Sequence, residues 1–272
     1  MALSVLNNIP SLVAQGQLTT TQSNLQKTLF QLSSGSRINS GADDAAGLAI
    51  ANGLQANITA LTQSVANANN GVGSLQVADG ALGQVTTLLN RAITLGTEAS
   101  TGTVSSSQRA ALDAEYQAIR AEITSIGANT TFNGTAVFGS ATTSIFLSDS
   151  TTTGTTTIGV STVTLTTAGL GLNGNLTTAA LAQTELTAIN TAINTISGNR
   201  GAIGAGINRL QAASNVFSNQ IQNLTTAEDQ ITAADIPTVV SNLSKFSILE
   251  QTGISALAQA NAQQQQVLNL LH

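Results

Sequence analysis

The chain has 272 residues, of which 8 are basic and 13 acidic, so only 8% are charged and the net charge is −5, against roughly 25% charged residues in an average soluble protein. Scattered single Lys and Arg residues cannot make the cationic surface that a nucleic-acid partner requires. The lack of cysteine and the single histidine, His272, leave no disulfide, no thiolate nucleophile, no His-based triad and no Cys- or His-ligated metal site, so no catalytic, cofactor-binding or metal-binding set is nominated.

In chain order, MALSVLNNIPSLVAQGQL has neither the basic start nor the apolar core of a cleaved secretory signal. Residues 11–33 carry Leu18, Leu25, Leu29 and Leu32 at helical spacing, and SSGSRINSGADD closes that element. Asp43 and Asp44 stand just before the next helical pattern, where a carboxylate caps free N–H groups and meets the positive end of the helix dipole.

The longest pattern runs through Leu54, Ile58, Leu61, Val65, Ala68, Val72, Leu75, Leu82, Leu89 and Ile93, in alternating steps of four and three, interrupted only at Asp79 and Thr86. A spacing that averages 3.5 residues stays on one face only when helices wrap one another. A helix over 44–99 is roughly 80 Å long at about 1.5 Å per residue. After the polar break TGTVSSSQ, a second run of Leu112, Tyr116, Ile119, Ile123 and Ile126 predicts a shorter helix folded back beside the first.

Between 131 and 175 the pattern changes to short β-like stretches. Asn133-Gly134 predicts a two-residue hairpin turn, followed by SIFLS, a Thr-rich loop near 150–157 and TIGVSTVTL. The piece is too small to stand alone and is expected to lean on the tip of a helical bundle. A third helical run follows, through Leu186, Ile189, Ile193, Ile196, Ile203, Ile207, Leu210, Phe217, Ile221, Leu224 and Ile231, with Arg200, Ser214 and Glu228 as exceptions. The last element starts at Asp235-Ile236-Pro237 and carries Ile236, Val240, Leu243, Phe246, Leu257, Val267 and Leu271.

The expected fold class is therefore mainly α: a long antiparallel coiled helical bundle with a small β-rich tip and a terminal N/C helical pair. Apolar stripes this long at both chain ends need a partner to bury them, because termini otherwise fray. A weakly charged surface rich in Ala, Thr, Asn, Gln and Ser suits packing against further copies of the chain. No apolar run is long enough to insert in a membrane.

The segments LSSGSRINSGADDAAGLAIANGLQANITALTQSVANANNGVGSLQVADGAL and TTFNG, with VVSNLSKFSILEQTGISALAQANAQQQQVLNLLH at the other end, resemble bacterial flagellin. The resemblance covers about 1–138 and 176–272. It implies an exported subunit of the extracellular flagellar filament, a swimming propeller, with no enzymatic activity and no cofactor. Implied partners are other copies in a homopolymer, a filament cap, hook–filament junction proteins and an export chaperone; implied export is by a type III route without a cleaved signal.

On this resemblance the chain divides into 1–40 and 236–272 as the two parts of an inner filament-core domain, 41–138 and 176–235 as those of a helical bundle domain, and 139–175 as a reduced surface-exposed variable segment. The terminal apolar stripes become self-assembly surfaces, and Arg37 and Ile38 resemble the family's interdomain spoke. LNRAITLGTEAS is similar to the segment that an animal innate-immune receptor reads in many flagellins: Arg91 and Leu95 match, Glu115 corresponds to a contacting acid, and Ile93 and Thr94 depart from the pattern. Two other readings remain open, a hook–filament junction protein and a secreted coiled-coil adhesin that binds through the central loop.

Overall fold

The computed structural model describes residues 8–139, 142–148 and 157–270, and the backbone alone for Thr142 and residues 267–270. Among the described residues there are five helices and two antiparallel strand pairs: α1 (Ile9–Ser34), α2 (Ala45–Ser100), α3 (Ser106–Asn129), β1 (Thr131–Phe132), β2 (Thr135–Ala136), β3 (Thr142–Phe146), β4 (Thr157–Ser161), α4 (Ala179–Thr232) and α5 (Ile236–Leu270). Of the sequence expectations, the Val267 side chain, Leu271, His272 and all of the Thr-rich loop but Thr157 lie outside the described residues.

Local chemistry sets the helix ends. Asn8 accepts a bond from the Ser11 N–H and Pro10 stands in the first turn of α1, while Gly35, with φ 69°, closes it, the left-handed stop that glycine adopts without strain. Asp44 accepts a bond from Gly47 N–H at 2.9 Å, so it caps α2 as its position predicts. Asp43 does something else: its Oδ2 closes the turn by accepting from the N–H groups of Asn39 and Ser40, and its Oδ1 meets Lys27 Nζ at 2.8 Å. At α3 a reciprocal capping box joins Ser105 and Gln108, satisfying two otherwise orphaned N–H groups.

The chain forms two compact units, residues 57–222 on one hand and residues 8–56 with 223–270 on the other. In the first, the buried residues of α2 between positions 61 and 92 are Leu61, Ser64, Ala68, Gly71, Leu75, Ala78, Leu82, Val85, Leu89 and Ala92. They keep the three-four alternation without a break. Only half of them belong to the seam expected from sequence. Leu61, Ala68, Leu75, Leu82 and Leu89 are shared, but the intervening places fall on Ser64, Gly71, Ala78, Val85 and Ala92, one residue before Val65, Val72, Asp79, Thr86 and Ile93. The same shift occurs in α4, whose interior side carries Ile189, Ala192, Ile196, Ile203, Gly206 and Leu210, while Ile193 and Ile207 are half-buried.

The physical reason is crowding from a third side. A Cβ on Gly71 would collide with Ile145 of β3 and come within 3.2 Å of Leu210, and one on Gly206 would lie 2.6 Å from Val160 of β4 and 3.4 Å from Leu75. Small residues at these places leave room for side chains that arrive from the strands, and the density of a protein interior leaves none for a methyl group more. In α4 a small residue therefore stands between two large ones at Ile189, Ala192 and Ile196 and again at Ile203, Gly206 and Leu210, and small residues likewise interrupt the large ones of α2 along one continuous core.

The strand pairs lean on the helices, as expected from sequence, along the flank that α3 vacates. Next to α2, α3 runs antiparallel, with Arg109 bonded to the Ala99 carbonyl and Glu115 to Arg91. Further along the flank, Phe132 lies against Gly73, Ile145 against Gly71, and Ser148 exchanges two bonds of 2.8 and 2.9 Å with Ser64. The Asn133-Gly134 turn between β1 and β2 has φ of 50° and 75°, the double left-handed geometry of a tight hairpin.

One buried polar pair interrupts this apolar core. Tyr116 of α3 donates its hydroxyl to the carboxylate of Glu185 of α4, both residues being almost inaccessible. Burial, and then the carboxylate itself, push the Tyr116 phenol well above its ordinary range, so it stays a proton donor. Arg120 lies over the Tyr116 ring and donates to the Gly174 carbonyl at 3.1 Å, and Asp113 accepts from Leu176 N–H at 2.7 Å, which ties the loop before α4 to α3.

Candidate self-assembly surface

Residues 8–56 with 223–270 contain both terminal helices. α1 and α5 run antiparallel and close, with Cα atoms within 8 Å. Asn8 Nδ2 donates to the Ala260 carbonyl at 3.2 Å, Ser11 Oγ to Asn261 at 2.9 Å, and Leu18 approaches the missing Cβ of Gly253 to 3.3 Å. α1 turns Leu18, Thr21, Leu25, Thr28 and Leu32 inward, again a large and a small residue in alternation, and α5 turns Val239, Leu243, Phe246, Gly253 and Leu257 inward. The threonines are buried with their hydroxyls bonded to the Gln17 and Asn24 carbonyls, so their methyl groups pack while their polar atoms are satisfied.

The terminal stripes expected from sequence thus divide. Leu18, Leu25, Leu32, Leu243, Phe246 and Leu257 are half-buried on the seam between the two helices, whereas Leu29, Ile236 and Val240 are exposed. The sequence reading missed the residues that expose the most apolar surface: Leu12 at 70%, Phe30 at 68% and Val13 at 66%, with Ile9, Ile248 and Ile254 also more than half exposed. Their signal was present as apolar residues off the heptad seam, where a self-contained helix pair needs polar ones. A groove of about 660 Å³ between α1 and α5, lined by Ile9, Val13, Leu18, Leu249 and Ala256 among others, continues this surface. Large contiguous apolar patches of this kind mark interaction sites.

The link from α1 to α2 is held within the same unit. Arg37 accepts a bond from Gln31 on its carbonyl, donates its N–H to the Thr232 carbonyl and its guanidinium to that of Ile231 at 2.8 Å. Beside it, Ser36 and Ala233 form a β-bridge. Ile38 is buried, its Cδ1 standing 2.8 Å from where a Gly47 Cβ would be.

In the other unit, Arg91 and Glu115 form a two-pronged ion pair of 2.7 and 3.1 Å, both side chains about half exposed. The pairing holds the Glu115 carboxyl below and the Arg91 guanidinium above their ordinary values. Leu95, grouped with them by sequence, is wholly buried between the helices and offers no side chain to an outside protein. Among the described residues there is no cluster of His, Cys, Asp or Glu able to hold a metal ion, and no helix long and apolar enough to cross a membrane.

Residues 5–143 match the family model described as bacterial flagellin N-terminal helical region, and residues 186–271 the one described as bacterial flagellin C-terminal helical region. The chain is 32% identical to a flagellin of Halalkalibacterium halodurans over 97% of its own length and 98% of that protein. It is 31% identical to the flagellar filament 33 kDa core protein of Treponema phagedenis, again over 97% and 98%. Among solved structures, Bacillus cereus flagellin aligns with a TM-score of 0.50 and 31% identity, covering 60% of this chain and 94% of that one.

Proposed function

The chain belongs to the bacterial flagellin family, and from that premise we propose that copies of it assemble through the exposed apolar faces of α1 and α5. A flagellin is a structural protein of the flagellar filament and not an enzyme; the chain is accordingly a subunit that polymerises in the flagellum. The junction-protein and adhesin readings are not favoured.

The observation that carries the assembly surface is the exposure of Leu12, Val13, Phe30, Ile248 and Ile254 on two helices already paired with each other. Fully burying one such side chain is worth about 1.5–3 kcal/mol, so a few of them suffice to hold a neighbour. Leu29, Ile236 and Val240 extend the same surface. Leu18, Leu25, Leu32, Leu243, Phe246 and Leu257 support it by fixing the pair from inside.

We assign 1–40 and 236–272 to the filament core, 41–138 and 176–235 to the helical bundle and 139–175 to the variable surface, with Arg37 and Ile38 as the interdomain spoke. A filament cap, junction proteins and an export chaperone are the further partners, with export through a type III route. Of the receptor-like segment, the exposed Arg91–Glu115 pair is the part open to an immune receptor. Purified monomer mixed with filament fragments tests the central claim: electron microscopy should show the fragments lengthening, and a protein that binds their ends without elongating them would be a junction protein instead.

A further inference from the structure

A second concave surface lies in the unit of residues 57–222. α2, the β1–β2 hairpin and β3 enclose a cleft of about 590 Å³. Phe132 forms one wall, its ring fixed 3.4 Å from where a Gly73 Cβ would stand, and Phe146, 49% exposed, forms the other. Between them the cleft presents the carboxamides of Asn70 and Asn133 and the hydroxyls of Thr135 and Thr143, which take no hydrogen-bond partner among the described residues. Among the described residues no charged side chain lines it.

From this chemistry we infer that the cleft is a binding site for a neutral saccharide. Uncharged donors and acceptors with open bonding capacity match sugar hydroxyls, and aromatic rings at the sides match the apolar C–H faces of a pyranose. An anionic ligand would find no cation there. A purely apolar ligand would strip water from the carboxamides and hydroxyls without replacing the bonds. Addition of a peptide strand along β3 is obstructed because the Phe146 carbonyl already accepts a bond of 3.2 Å from Asn67 Nδ2, whose own oxygen accepts from Gln63. The same two bonds hold the Phe146 end of the cleft in place, so the site is formed before a ligand arrives.

The inference is independent of filament assembly and is tested on the full-length monomer. Saturation-transfer NMR with chitobiose and maltose as neutral probes, and sialyllactose as an anionic one, should give binding of at least one neutral disaccharide with a Kd on the order of 1 mM. Phe146→Ala and Asn70→Ala, both exposed and checked by circular dichroism for intact helix content, should each weaken it about tenfold or more, as loss of one well-made contact does. Binding that survives both substitutions, preference for sialyllactose, or no transfer to either neutral sugar overturns the inference. So does loss of seeded elongation in Phe146→Ala, which would make the cleft a contact between copies.

Discussion

Asp79 and Arg200 are bound to each other by two bonds, Nε to Oδ1 at 2.7 Å and NH2 to Oδ2 at 3.1 Å. In the spacing of large apolar residues each looks like an interruption, one in α2 and one in α4. In the fold each stands just outside the buried seam, and together they fix the register of two antiparallel helices. The pairing holds the Asp79 carboxyl below its ordinary value. Both side chains are about 40% exposed, so the pair contributes at most about 1 kcal/mol. Asp79→Ala and Arg200→Ala should each lower the monomer melting temperature slightly, high salt should shrink the difference, and the exchanged pair Asp79→Arg with Arg200→Asp should recover part of it.

Glycines in α4 should respond in opposite directions to the same change. A Cβ at Gly201 meets nothing within 4 Å, so Gly201→Ala should raise helix stability by about 0.5–1 kcal/mol. At Gly206 the added methyl lies 2.6 Å from Val160, and Gly206→Ala should destabilise by about 1–3 kcal/mol through overpacking. Urea denaturation of the two monomers at one temperature measures both signs.

Tyr116→Phe leaves the buried Glu185 carboxylate without the hydroxyl that bonds it. An unsatisfied buried polar group costs about 1–3 kcal/mol, and more when it is charged. The variant should unfold at lower denaturant than the parent, and adding Glu185→Leu should regain much of the loss, since two apolar groups leave nothing unpaired. A double-mutant cycle measures the coupling.

Asp43 supplies a pH dependence. Its carboxyl is held at about 2, from 3.8, chiefly by the bond from Lys27 and then by the Asn39 N–H. Because the folded value is the lower one, the stabilisation is complete above the unfolded value, and it disappears as pH falls from 3.8 through about 2, as proton linkage requires. Asp43→Asn should therefore melt earlier than the parent at neutral pH, and the two melting curves should converge as the buffer approaches pH 2.

Charges placed on the outer face of the terminal pair should separate folding from assembly. Phe30 and Ile254 are 68% and 53% exposed, so Phe30→Asp and Ile254→Asp remove little internal packing and should keep the monomer's helix content. A carboxylate buried at a contact between copies costs several kcal/mol, which should stop seeded elongation. Circular dichroism and light scattering on the same samples check the two halves of this prediction.

Much of this architecture was legible in residue order. The seven-residue recurrence of Leu61, Leu75, Leu82 and Leu89 marks α2, Asn133-Gly134 marks its turn, and TGTVSSSQ marks the break before α3. The second place in each heptad was misread because Val65, Val72 and Ile93 are greasier than Ser64, Gly71 and Ala92. At Gly71 what favours the small residue is Ile145 arriving from a distant strand, as Val160 does at Gly206 of α4, and no local window contains that information. For the same reason the assembly surface was only half visible: Leu18, Leu25 and Leu32 form the regular stripe, yet regularity marks the face already covered by α5. The outward residues Leu12, Val13 and Phe30 follow no period, since nothing within the chain demands one of them.

The bonds between Asn8 and residues 260 and 261 join groups 252 and 253 positions apart, nearly the full length of the chain. Loop-closure entropy makes such contacts late ones. A polypeptide delivered lengthwise, whichever end leads, cannot zip its two extremities together until the trailing segment has been released. With the export route proposed above, the sticky surface they jointly build is absent from every unfinished molecule and comes into being only on arrival.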